Sequence, residues 1–166
     1  NATYTDRGGN GMPPLTTHRQ LILRYPRLFA TELDFQSHSR RVKADSTTFP
    51  GLDEEIEFVQ LESGNYIGFE NIDLTGISQL KIEALLFANQ NEGWLEVRTD
   101  GPNGPVVGKK ELPHALKDNQ QREVLIPVKN TGGLQSLVFI LKSPAGVSRS
   151  LGFYSVEFLT GSPDET

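Results

Sequence analysis

From Leu21 onward the apolar residues fall in short runs punctuated by Gly, Pro, Asn and Asp, and almost nowhere do they recur at the i, i+3, i+4 spacing of a long helix. Alternation with period two, which sends successive side chains to opposite faces of a strand, is the dominant pattern. It predicts strands at Tyr66-Ile67-Gly68-Phe69, at Leu80 to Ala84 running on toward Phe87, and at Trp94-Leu95-Glu96-Val97-Arg98. The run Asp100-Gly101-Pro102-Asn103-Gly104-Pro105 then forces a reversal, and Val106-Val107-Gly108 returns antiparallel. Further strands are predicted at Glu123 to Val128, Leu137 to Leu141 and Phe153 to Phe158. Short strands with turns every ~8 to 12 residues and no helices between them mark an all-β fold. A two-sheet antiparallel β-sandwich of the jelly-roll type is expected.

Composition divides the chain. Residues 1–19 combine Gly8-Gly9, Asn10-Gly11 and Pro13-Pro14 with few apolar side chains, and read as a linker or the remnant of a preceding domain. Residues 20–160 carry the sandwich, and the polar tail 161–166 is short enough to fray. The first residue is Asn1 rather than Met, so the expectation is a fragment or processed chain whose leader or upstream domain has been removed.

Charge and cysteine content narrow the chemistry. A net charge of −5, with the only dense cationic run at His38 to Lys43, argues against a nucleic-acid partner. No stretch approaches the ~20 apolar residues of a membrane helix, so membrane insertion is not expected. The absence of cysteine removes disulfides, thiolate metal sites and cysteine nucleophiles.

No nucleophile elbow, metal-binding histidine pair or phosphate loop is present. His18, His38 and His114 are far apart and read as solvent-exposed loop residues. Asp53-Glu54-Glu55 beside Glu57 is the one stretch rich enough in carboxylates for a glycosidase pair, but neighbours on an extended backbone point to opposite sides, which reads as a solvated acidic turn. Trp94 differs. Leu95 and Val97 face one way on its strand, so Trp94, Glu96 and Arg98 share the other face, setting a flat ring beside two side chains able to bond hydroxyls. That combination suits a sugar, whose apolar C–H face stacks while its rim is hydrogen-bonded. The alternative is an indole buried in the core.

The segment Gly64-Asn65-Tyr66-Ile67-Gly68-Phe69-Glu70-Asn71-Ile72-Asp73-Leu74, followed by Trp94 to Gly108 (WLEVRTDGPNGPVVG), resembles the family 6 carbohydrate-binding modules. The likeness runs from about Phe29-Ala30-Thr31-Glu32 to Val156-Glu157-Phe158. It implies a jelly-roll sandwich whose usual cleft clamps a sugar between two aromatics with an Asn nearby. By position those residues fall near Gln60, within Lys117 to Arg122, and near Gly152, so all three are missing here. Some members bind instead on the concave sheet face, and the resemblance assigns Trp94, Glu96 and Arg98 to such a surface. It also implies a structural calcium ion near the first strand. Glu32 matches one expected ligand, Ala30 and Tyr154 replace two others, and Asp34 and Glu157 are the substitutes. The lead-in from Tyr4 to Pro26 is similar to the join before such modules in secreted bacterial proteins, implying a secreted or periplasmic location and an upstream enzyme.

Three functions follow as expectations: a non-catalytic module that tethers an upstream exported enzyme to a polysaccharide or oligosaccharide, a structural domain that has lost sugar binding and docks on its upstream neighbour, and, least favoured, an independent enzyme.

Overall fold

The structure, a computed structural model, describes residues 2–5, 8, 16–19, 26–129 and 132–161. Two short strands, β1 (Ala2–Thr5) and β2 (Thr16–Arg19), pair antiparallel as a ribbon of their own. They lie inside the stretch whose composition reads as a linker. The Thr residues of both strands favour an extended, pairing backbone. Residues 162–166 of the expected tail lie outside the described residues.

The sandwich begins with β3 (Arg27–Phe29), a 3-10 turn over Ala30–Glu32, β4 (Phe35–Gln36), β5 (Arg40–Ala44) and β6 (Ile56–Glu62). It continues through β7 (Tyr66–Asp73), β8 (Ile77–Leu86), β9 (Trp94–Thr99) and β10 (Val106–Glu111). The last strands are β11 (Gln120–Pro127), β12 (Leu134–Lys142) and β13 (Ser150–Thr160). A five-stranded sheet runs in the order β10-β9-β12-β7-β4, and a six-stranded one in the order β11-β8-β13-β6-β5 with β3 added beside β13. Every pairing is antiparallel. The expected two-sheet sandwich is therefore the fold.

Alternation decides which side chains fill the gap between sheets. Ile67, Phe69, Leu95, Val97, Leu137 and Phe139 point inward from the five-stranded sheet and are fully buried, meeting Val59, Leu61, Leu80, Ile82 and Phe153 of the other. Each such side chain is worth about 1.5 to 3 kcal/mol relative to exposure, so this layer is the main source of stability.

A second apolar cluster lies outside the sandwich. On the outer face of the six-stranded sheet, Phe58 of β6 and Leu85 of β8 pack with Phe49 and Leu52 from the loop between β5 and β6. Phe49 meets Phe87 with centroids 5.5 Å apart and Phe58 at 6.2 Å, both edge-on. The loop starts with a turn in which Asp45 accepts the Thr47 amide at 2.9 Å. β6 is thus covered on both faces, which removes the in-out alternation that makes a strand legible. The basic run at Arg40, Arg41 and Lys43 lies on β5, at one edge of its sheet. Charge on an edge strand opposes pairing with another chain.

Candidate functional site

Leu95, Val97 and Thr99 of β9 are buried, while Trp94, Glu96 and Arg98 stand half-buried on the outer face of the five-stranded sheet. Alternation alone brings the three together, as expected, and they form one bonded unit. Trp94 Nε1 donates to Glu96 Oε1 at 3.0 Å, and Arg98 donates to Glu96 Oε2 through Nε at 3.1 Å and Nη2 at 2.8 Å. Arg98 Nη1 also donates to the Gly104 carbonyl at 3.2 Å, tying the strand to the turn that follows it. At Gly104 a Cβ would lie 1.8 Å from the Thr99 carbonyl oxygen, so only glycine closes this turn. Burial works to raise the Glu96 carboxyl, but the hydrogen bonds from Trp94 and Arg98 and the charges of Arg98 and Lys142 outweigh it. The group is held below the usual carboxylate range.

The register across the sheet shows what surrounds this unit. Trp94 lies between Glu111 of β10 and Lys142 of β12, Glu96 between Lys109 and Ile140, and Arg98 between Val106 and Val138. Beyond β12, Ile140 faces Tyr66 of β7, and Val138 faces Gly68, which faces Phe35 of β4. One half of the face is charged and the other apolar. Val138 and Ile140 point away from the sandwich core, yet they are only 0% and 3% exposed.

Phe35 and Tyr66 form an edge-on aromatic pair with centroids 6.3 Å apart. The Phe35 ring lies against Gly68, where a Cβ would come within 2.2 Å of it. These rings are on the same face as Trp94, with the strand of Tyr66 two strand spacings, about 10 Å, across the sheet and that of Phe35 three. Sequence reasoning passed over them. Tyr66 was visible in an alternating strand, but its partner Phe35 sits on a two-residue strand with no alternation to read.

The positions of the usual clamp hold no sugar platform. Gln60 is pinned by Arg40, whose Nε and Nη2 donate to its carbonyl at 3.2 and 3.0 Å. Gly152, its partner on β13, lies against the Phe58 ring, 2.8 Å from where a Cβ would stand. In the segment 117–122, Asn119 accepts the Ala88 amide at 2.8 Å and donates to the Thr48 carbonyl at 2.9 Å, stitching the loop that carries Phe49.

The carboxylates expected to hold calcium do not converge on an ion. Glu32 caps the 3-10 turn by accepting the Phe29 amide at 2.8 Å, Asp34 accepts the Glu70 amide at 2.7 Å, and Glu157 pairs with Lys81 at 2.6 Å. Each carboxylate has an oxygen engaged in a separate structural contact. Among the described residues no group of three or more His, Asp or Glu is placed to hold a metal, so Glu32, Asp34 and Glu157 do not fit the six to eight oxygens that calcium requires.

The acidic turn is open to solvent: Asp53, Glu54 and Glu55 are exposed, and Glu55 pairs with Lys43 at 2.7 Å. His38 and His114 are exposed as well.

No family model matches the sequence. Solved structures do. A glycoside hydrolase family 43 arabinoxylan arabinofuranohydrolase from Bacillus subtilis, crystallised with cellotetraose, aligns with a TM-score of 0.67 at 22% identity, over 82% of this chain and 27% of that one. A β-1,3-glucan-binding family 6 module from Bacillus halodurans aligns with a TM-score of 0.66 at 18% identity, over 81% of this chain and 95% of that module. A family 36 module solved with calcium and xylotriose aligns with a TM-score of 0.53 at 13% identity, over 80% of this chain and 98% of that one. This chain thus spans about a quarter of the hydrolase and nearly all of each isolated module. At these identities the likeness speaks for architecture, and the architecture is that of a family 6 carbohydrate-binding module.

Proposed function

We propose that this chain is a non-catalytic carbohydrate-binding module that takes its ligand on the outer face of the five-stranded sheet, across β12, with Trp94 at one end and Tyr66 and Phe35 at the other. The observation that carries this reading is the placement of three half-buried aromatic rings on one sheet face, with Glu96 and Arg98 beside Trp94 on β9. Trp94 and Tyr66 stand two strand spacings apart, roughly 10 Å, and the strand of Phe35 is one spacing beyond, a span that suits a short stretch of a longer sugar chain. Rings supply stacking surface, and the polar groups select hydroxyl orientation.

In this reading the module serves an exported enzyme on the same polypeptide, outside the cytoplasm, holding it near a polysaccharide through effective concentration. Titrating soluble plant and microbial glycans while following fluorescence tests the site, because Trp94 is the only tryptophan. A saturable change that Trp94→Ala abolishes supports it. Flat titrations across the panel remove it.

A second reading, a structural domain docked on its upstream neighbour, is favoured by the filled clamp positions at Gln60 and Gly152. Limited proteolysis of the full-length protein separates the two. A module that is released and tumbles independently ends the docking reading.

A further inference from the structure

The face that carries Trp94 is rich in hydrogen-bond donors and poor in open acceptors. Glu96, its central carboxylate, already accepts from Trp94 and twice from Arg98. Glu111 is paired with Lys109 at 3.3 Å. Glu70 is at the far end of the face, on the other side of Gly68 from Tyr66.

Of the cations, Arg98 is bonded to Glu96 and to the Gly104 carbonyl, Lys109 is paired with Glu111, and Lys142 is the least committed. Lys109 holds its ammonium 4.4 Å from the centre of the Trp94 ring. Lys142 is the cross-strand partner of Trp94, close enough for its charge to act on Glu96, and among the described residues its ammonium makes no hydrogen bond or ion pair. Around Trp94, then, stand Lys109, Lys142 and Arg98 against Glu96 and Glu111, an excess of one positive charge on a chain whose net charge is −5. Charges beyond about 8 Å are largely screened at physiological ionic strength, so a ligand at Trp94 responds to the local sign.

A neutral sugar must displace Lys109 from the ring and offers nothing to Lys142 beyond a hydroxyl. An anionic sugar does both at once: its carboxylate or sulfate draws Lys109 off the indole and gives the Lys142 ammonium a charged hydrogen-bond acceptor. Resting on the sugar-binding reading of this face, we infer that the preferred ligand is an acidic glycan, a pyranoside polymer bearing carboxylate or sulfate groups, with its anion between Lys109 and Lys142 and its ring on Trp94.

The test uses oligogalacturonate and its methyl ester, which share one backbone and differ in charge, together with a sulfated galactan and its desulfated form. Titration of the whole chain is expected to show at least about tenfold tighter binding to the charged member of a pair, falling steeply with added salt. Lys142→Gln and Lys109→Gln, each with an unchanged melting temperature, are expected to erase that preference. Preference in the carboxylate pair, the sulfate pair or both supports the inference and identifies the anion. Equal affinity within both pairs overturns it while leaving a sugar-binding face in place. A charge preference that survives both substitutions also overturns it, since the anion then sits elsewhere. Binding of no glycan, acidic or neutral, removes the sugar-binding reading and this one with it.

Discussion

The ammonium of Lys109 sits 4.4 Å from the centroid of the Trp94 ring, so the indole on the outer face of the five-stranded sheet carries a cation over its π surface. A cation at that distance is worth about 0.5 to 1 kcal/mol at an exposed site, little enough for a ligand to displace.

That contact makes Trp94 accessibility depend on Lys109. Lys109→Ala is expected to increase acrylamide quenching of the single tryptophan, whereas Lys43→Ala, which only breaks the distant pair with Glu55, is expected to leave quenching unchanged. In glycan titrations Trp94→Ala is expected to cost at least about tenfold in affinity, the equivalent of about 1.4 kcal/mol of stacking.

Gly68 gives Phe35 its resting place. A methyl group there would overlap the ring, and overpacking of this kind costs about 1 to 3 kcal/mol. Gly68→Ala is therefore expected to lower the urea midpoint by that equivalent. In a Phe35→Ala background the same change has room, and the double-mutant cycle is expected to show its cost largely removed.

Glu96 links stability to pH. Its carboxyl lies below the ordinary value of 4.5 in the folded chain, so it contributes stability that is complete above that value and is lost as the pH falls through the lowered one. Glu96→Gln is expected to cost about 1 to 2 kcal/mol at neutral pH, since it weakens the bonds to Arg98. Urea denaturation at stepped pH is expected to show the wild-type advantage shrinking below pH 4.5.

Arg149, just before β13, is 2% exposed and among the described residues has no carboxylate partner. Its Nη1 donates to the Asn91 carbonyl at 2.6 Å and its Nη2 to the Pro113 carbonyl at 2.5 Å, joining the loops on either side of the β9–β10 hairpin. Gly93 makes room for it: a Cβ there would lie 2.6 Å from Arg149 Cδ. Arg149→Met is expected to cost about 2 to 4 kcal/mol and to raise amide exchange in residues 89–93 and 112–116. Arg149→Lys is expected not to rescue it, because one ammonium cannot serve both carbonyls in the guanidinium's geometry.

Calcium is expected to leave the molecule unchanged. Glu32, Asp34 and Glu157 are spent on separate contacts, so neither added calcium nor a chelator is expected to move the melting temperature in a thermal scan.

Local pattern determined much of this protein. Period-two alternation was enough to place β7, β8, β9 and β12, to choose a sandwich, and to put Trp94, Glu96 and Arg98 on one face, because alternation is a property of the strand alone. It failed at β6, where Phe58 on the outer face is covered by Phe49 from the preceding loop while Val59 and Leu61 face the core. Tertiary structure decided the rest: that Phe35 crosses Gly68 beside Tyr66, that Lys109 covers Trp94, and that Glu157 meets Lys81 rather than Glu32 and Asp34. Those contacts join residues from different strands, and their partners are set by sheet order and register, which no single segment encodes.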